Sequence, residues 1–335
     1  MTTRLAPDFR PQYHQLHRVG RPGTWRSLVG SVLVLVLVFL LVPAVAGAIA
    51  FAALMAAGHT MDETTAILDV TKEATPTGLA LLNIVIAAAI PVSWAVTWWL
   101  HRLKPRWLSS VAPRLRWRFL LVCLGLAVVA LVASLLVGLL LPLAPGESPV
   151  GEVNDFTSRT RDFVIVVLLL TPLQAAGEEY LFRGYLTQAF GSLVWGRRAS
   201  QVLAVLGPAL IFALFHGFSQ DAPVFFDRFA FGVVAGILVI RTGGLEAAIA
   251  MHVLNNFLAF GLALAFGDLT TALTATGGSS WWMILSTLTQ SLVYLALATW
   301  VAKGMGLVNV GPPVGRVLQP TAPGHPVLEG SPPRV

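Results

Sequence analysis

Charge is what this sequence has least of. Only 11% of its 335 residues are Asp, Glu, Lys or Arg, and 56% are hydrophobic. A soluble domain carries about 25% charged residues. So little polar surface cannot coat a globule in water, which excludes a large soluble core and leaves lipid as the solvent for most of the chain. Cysteine is nearly absent too. Cys123 is the one thiol, so there is no internal disulfide and no Cys–Cys zinc spacing. It sits in an apolar run and reads as filler facing lipid or core. No repeat with a period of about 20–50 residues is visible, which excludes a solenoid. A cleavable signal peptide is not indicated either. Residues 1–26 are polar, and the apolar run from Ser27 to Gly58 is too long for the core of a signal peptide. It is expected to be a retained first helix.

What the chain does have is apolar runs, at 27–57, 78–100, 119–143, 162–189, 200–217, 224–241, 244–266 and 281–302. About 20 such residues cross a bilayer as a helix, and a helix satisfies its own backbone hydrogen bonds there. The expected fold is an all-α integral membrane protein of about eight transmembrane helices. The loops alternate in charge. Residues 1–26 carry five Arg and one Asp; 58–77 carry Asp62, Glu63, Asp69 and Glu73 against Lys72; 101–118 carry six Lys or Arg and no acid. By the positive-inside rule both termini are cytoplasmic, in a multi-pass protein of a bacterial-type plasma membrane. The net charge of +6 is spread between hydrophobic segments, so it sets orientation and does not point to nucleic acid. The organisation expected is a cytoplasmic basic tail over 1–26, scaffold helices over 27–160, a second set of spans over 161–302, and a disordered Pro/Gly-rich tail over 303–335. Trp25, Trp98, Trp99, Trp107, Trp117, Trp281, Trp282 and Trp300 sit near the segment ends, as an aromatic belt would.

Against that apolar background a few ionisable residues stand out. A charge near the bilayer centre costs at least ~2.5–3.5 kcal/mol, so such residues mark function or an internal ion pair. The fourth run holds Glu178, Glu179 and Arg183. Glu179 and Arg183 are i and i+4 and can pair. Glu178 is rotated by about 100° and is a candidate proton acceptor in an apolar cavity; alternatively both glutamates share Arg183 and pin helices. The fifth run ends in Phe212 and, one turn later, His216. The seventh has His252 and Asn256 on one face, suited either to gripping an oxyanion or to hydrogen bonding between helices. Asn255 points elsewhere. Asp227, Arg228 and Glu246 lie close to the starts of their runs and read as interfacial.

The order E-E-x-x-x-R, F-x-x-x-H, H-x-x-x-N, each on its own hydrophobic segment, resembles the CPBP family of intramembrane peptidases, which includes CaaX prenyl endopeptidases and bacterial immunity-type proteins. The match falls at Glu178/Glu179/Arg183, Phe212/His216 and His252/Asn256, and covers roughly 165–262. The resemblance implies a CaaX-protease-like bundle with its catalytic helices over 161–302. It implies an endopeptidase acting on a membrane-associated peptide or protein: Glu178 and His216 activating water, His252 and Asn256 stabilising the oxyanion, and Glu179, Arg183 and Phe212 in support. Glu178, His216 and His252 could also supply a zinc set with an open position for water, although H-E-x-x-H is absent; metal-free chemistry is slightly favoured. A non-catalytic scaffold or immunity protein is the first alternative. A proton-coupled transporter is the second, and it lacks an inverted repeat or a matching pair of broken helices. By the loop charges His216 falls at the outer end of its helix and Glu178 and His252 nearer the inner side. A short or tilted fifth helix would bring them together.

Overall fold

The computed structural model describes residues 8–141, 152–217, 219–274 and 281–314. Among these the named elements are all helical, and eight helices are long and apolar enough to span a bilayer. They are α1 (Thr24–Ala56), α2 (Pro76–His101), α3 (Trp117–Gly138), α4 (Ser158–Gly191), α5 (Arg197–Phe215), α6 (Ala222–Thr242), α7 (Glu246–Phe266) and α8 (Ile284–Gly304). Each coincides with one apolar run of the sequence. Their outer faces carry exposed Leu, Val, Ile and Trp throughout, such as Leu40, Ile49, Leu136 and Trp300. A soluble monomer does not tolerate apolar surface on that scale. The protein is therefore an integral, multi-pass membrane protein.

Proline sets the local irregularities. Pro43 has no N–H to return to the carbonyl of Phe39, and a π turn over Leu37–Leu41 precedes it. Pro91 crowds the carbonyl of Ala87, and α2 breaks at Ala88. A second π turn, Tyr180–Leu186, follows Glu179 inside α4; such turns often accompany functional sites.

Helix α4 is the most buried of the eight and α1 the least. α4 packs against α2 and α7, α7 against α3, α3 against α8, and α5 against α6, which also meets α8. Gly177 makes the α2–α4 contact possible. A Cβ there would lie 2.4 Å from the Ile86 carbonyl oxygen and 2.9 Å from the Ala87 Cα. Two backbones touch directly, one residue before Glu178.

Part of the stretch expected as a basic tail is packed against the bundle. Tyr13–Arg18 form a 3-10 helix whose six residues are all buried. The Tyr13 hydroxyl donates to the Leu108 carbonyl at 2.5 Å. Arg18 donates to the carbonyls of Gly191 and Val194, each at 2.5 Å, and to Ser200 Oγ at 3.0 Å. All three contacts come from Nη2, beside the end of α4, whose last carbonyl, that of Gly191, has no helical partner. Residues 9–12 in turn pair with 310–314, through Gly311 N–H to Pro11 O at 2.7 Å and Val314 N–H to Phe9 O at 3.0 Å. The two ends of the described chain thus meet on one side, as an even number of spans requires. The remainder of the expected disordered tail, 315–335, lies outside the described residues.

The basic loop between α2 and α3 is also docked. Trp107 and Leu108 are buried. Trp107 therefore belongs to the core and not to the aromatic belt, where Trp98, Trp99 and Trp117 remain exposed. The loop holds the α6–α7 turn through Val111 N–H to Gly243 O at 2.8 Å and Leu245 N–H to Ser109 O at 2.9 Å. Gly243 has φ +73°, and a Cβ there would meet the Val308 carbonyl at 2.7 Å. Glu246, expected at an interface, is instead completely buried. It is clamped by Arg116 through Nη2–Oε2 at 2.6 Å and Nε–Oε1 at 2.9 Å. The loop folds underneath α7 and brings a cation with it, so a position near the helix start does not mean exposure.

Candidate active site

The central helix α4 carries two i, i+4 pairs that face different neighbours. The first is Gln174 and Glu178. The Gln174 amide donates to Glu178 Oε1, while Glu178 Oε2 is buried without a partner. The second is Glu179 and Arg183. Glu179 is fully buried, and its Oε1 accepts from Arg183 Nη1 at 2.9 Å and from His252 Nδ1 at 2.8 Å. The guanidinium lies 4.3 Å from the ring centre of Phe212 and 5.6 Å from that of Phe231. A buried cation is tolerable only with such partners. Phe212 is thus the face on which Arg183 rests.

Helix α7 supplies the opposing side chains. With His252 Nδ1–H donated to Glu179, the ring is oriented so that Nε2 faces Glu178, 3.9 Å from Oε2. One turn on, Asn256 Nδ2 donates to Gln174 Oε1 at 2.9 Å. Two polar rungs therefore tie α4 to α7. Asn255 faces away, toward Gln290 of α8 at 3.5 Å.

His216 is the first residue beyond α5. Its Nδ1 lies 2.7 Å from the Phe212 carbonyl oxygen. A carbonyl only accepts, so Nδ1 carries the proton, and in the neutral ring Nε2 is an acceptor. The chain then turns through Gly217, whose φ is +123°. Arg228 holds the turn with Nη1 to the His216 carbonyl at 3.2 Å and to Gln220 Oε1 at 2.7 Å.

Glu178, His216, His252 and Asn256 line one cavity of about 300 Å³, with Gln174 and Phe212. A water takes about 30 Å³ in the liquid, so several fit. The far wall is polar as well, with Asn83 of α2, Asp227 and Arg228 of α6, and Gln290 of α8. Asp227 and Arg228 were expected at an interface. Both border the cavity, where Asp227 accepts from Thr287 Oγ1 of α8 and Arg228 holds the turn after His216. The separation of His216 from Glu178 suggested by the loop charges does not arise, since both side chains reach this space.

Gln174 is the residue that the sequence reading passed over. Its signal is present: an amide in an apolar run, one helical turn before Glu178. It bonds both Glu178 and Asn256, and so it aligns the two helices that hold the site.

Metal binding can be tested on the donor geometry. Among the described residues no three His, Cys, Asp or Glu side chains are gathered so as to hold a metal ion. Glu178, His216 and His252 share the cavity without forming such a set, and His252 Nδ1 is already committed to Glu179. The residues do not fit a zinc site as arranged, and no step below is routed through one.

Comparison with known proteins agrees with this location. Residues 160–258 match the family model described as Type II CAAX prenyl endopeptidase Rce1-like. The matched segment runs from the start of α4 into α7 and includes all four cavity residues named above. A protein of Bacillus subtilis (strain 168), YyaK, described as uncharacterized, is 24% identical over 234 residues, which is 67% of this chain and 76% of that protein. No solved structure matches. Residues 160–258, which carry these four side chains, thus match an Rce1-like domain of the CPBP family.

Proposed function

We propose that this protein is an intramembrane endopeptidase that hydrolyses a peptide bond of a membrane-associated protein or peptide, with Glu178 as general base. One juxtaposition supports the reading above all: the unpartnered Oε2 of Glu178 lies 3.9 Å from His252 Nε2 at a cavity shared with His216 and Asn256. A water at about 2.8 Å from both atoms forms a bent triangle with them, within ordinary hydrogen-bond limits.

Glu178 takes a proton from this water as its oxygen attacks the peptide carbonyl carbon. The carbonyl π electrons move to oxygen. His216, whose Nε2 is the acceptor in the neutral ring, orients the water. The developing oxyanion is met by Asn256, one of whose two amide hydrogens remains available beyond the bond to Gln174, and by Nε2–H of His252 in the imidazolium form, whose Nδ1–H stays with Glu179. When the C–N bond breaks, the amine leaves with the proton held by Glu178, and the carboxylate is restored. Glu179 and Arg183 fix the His252 ring and do not react. In this scheme residues 27–160 are scaffold and 161–302 catalytic, and the loop charges put both termini in the cytoplasm.

The test is N-terminal proteomics of membranes carrying the wild type or Glu178→Gln. New N-termini that depend on Glu178 are expected. Identical profiles from the two proteins would remove the hydrolase reading and favour a non-catalytic scaffold.

A further inference from the structure

A second, larger space lies on the other side of the α4–α7 layer. It measures about 1110 Å³ and is bordered by α2, the basic loop, α3, α4 and α7. On α4 it takes Leu168, Pro172, Leu173, Ala176 and Tyr180, whereas Gln174 and Glu178 face the hydrolytic cavity. On α7 it takes Ile249, Val253 and Phe257, against His252 and Asn256 on the opposite face. The two spaces therefore share a wall and have no lining residue in common. The groove is open sideways: Leu168 is 57% exposed and Leu173 51%.

Its two ends differ in chemistry. Along most of its length the lining is apolar, with Leu120, Leu124 and Phe257 among the side chains. At one end stand Arg106 and Arg114, both exposed. Neither guanidinium makes an ion pair or hydrogen bond among the described residues. Beside them the hydroxyls of Ser109 and Tyr180 are bonded at 2.7 Å, and the exposed Trp117 flanks the opening. From Tyr180 to Leu168 the groove follows α4 for twelve residues. That is about 18 Å at ~1.5 Å per residue, close to the ~15 Å of one leaflet's hydrocarbon.

We infer that this groove is a binding site for an anionic glycerophospholipid, with an acyl chain along α4 and the phosphate between Arg106 and Arg114. Charge complementarity selects this occupant: two unpaired cations cap an apolar slot one leaflet deep, and basic pockets between membrane helices recruit acidic headgroups. The site is separate from peptide hydrolysis and stands whether or not Glu178 is a base.

The experiment is native mass spectrometry of the whole protein released from nanodiscs containing equal parts of phosphatidylglycerol and phosphatidylcholine. The wild type is expected to retain one phosphatidylglycerol. The double variant Arg106→Gln/Arg114→Gln should bind it about 25-fold more weakly, two residues at the roughly fivefold each that a basic side chain contributes beside an acidic surface. Leu173→Trp, which fills the slot from its exposed side, should also lose it, while Arg198→Gln, a surface change elsewhere, should not. Equal retention of phosphatidylcholine, equal loss in Arg198→Gln, or a lipid-free dimer covering the groove would each overturn the inference. The variants alter exposed side chains, and an unchanged melting temperature in detergent establishes that they fold.

Discussion

Asn256 Nδ2 donates to Gln174 Oε1 at 2.9 Å, and the same Gln174 turns its own amide toward Glu178. A glutamine outside the recognisable motif therefore couples the proposed base on α4 to the proposed oxyanion donor on α7. Replacing it with Leu leaves the buried Glu178 and the half-buried Asn256 short of a partner, at about 1–3 kcal/mol for the buried group. Gln174→Leu should lower both melting temperature and cleavage. Gln174→Glu should be worse for cleavage, because it sets a second acceptor against Glu178. Cleavage rates of the two variants, normalised to folded protein, decide this; equal activity in Gln174→Leu would leave the residue without a part in alignment.

Glu178→Gln keeps the shape and the acceptor for Gln174 but removes the base. Cleavage should fall by about 10²–10⁴-fold, the usual contribution of a positioned acid–base group. The melting temperature should hardly move. A large loss of stability together with activity would assign Glu178 to architecture.

Chelation distinguishes glutamate-driven from metal-assisted hydrolysis. No three-residue donor set is gathered among the described side chains. Cleavage dependent on Glu178 should persist after exhaustive treatment with a strong chelator. Loss of activity that zinc restores would mean that His216 and His252 rearrange around a metal.

The buried Arg116–Glu246 pair joins the basic loop to α7 at 2.6 Å. Removing one partner strands the other charge, at about 3–5 kcal/mol. Arg116→Ala should therefore lower the melting temperature strongly. Arg116→Leu/Glu246→Leu, which deletes both charges, should recover most of the loss. A double variant no better than the single one would show that the backbone contacts of Arg116, to the Thr242 carbonyl for instance at 2.9 Å, carry the effect.

Acid should loosen the packed N-terminal segment. Burial, helped by Arg18, lowers the His14 imidazole from 6.5 to about 4. Burial also pushes His17 well below its ordinary value. Both are held neutral in the folded state, while the unfolded chain takes up protons below about 6.5. The unfolded state thus binds more protons between pH 6.5 and about 4, so stability falls as pH falls through that window. Melting curves from pH 7.5 to 4.5 should slope downward toward acid, and less steeply in His14→Gln. A parallel slope in the variant would trace the effect to other groups.

The eight spans were legible because bilayer thickness fixes both their length and their polarity, and a helix needs no partner to satisfy its backbone. The site was legible as misfits: Glu178, Arg183 and His252 have no cheap place in hydrocarbon unless they meet. Less visible were features made by distant segments. Trp107 has the same neighbours in sequence as an interfacial tryptophan, and only the docking of its loop buries it. Asp227 and Glu246 sit at helix starts, where position alone suggests water, yet Thr287 of α8 bonds the half-buried Asp227 and a cation from Arg116 encloses Glu246. Gln174 was readable by spacing, but an uncharged amide does not announce itself as a carboxylate does.

The π turn over Tyr180–Leu186 makes chain length, more than composition, the vulnerable property of α4. Everything beyond it, including Gln188, whose amide donates to the Trp107 carbonyl at 3.0 Å, is phased by that widened turn. Dropping one residue would swing the lower half by about 100°, while the upper half, with its glutamates, kept its orientation. Such a deletion would still leave a span long enough for the bilayer, but its two halves would no longer agree on which way is inward. An aligned set of natural relatives should therefore exchange the apolar side chains of this stretch for one another, keep Arg183, and never differ in residue number.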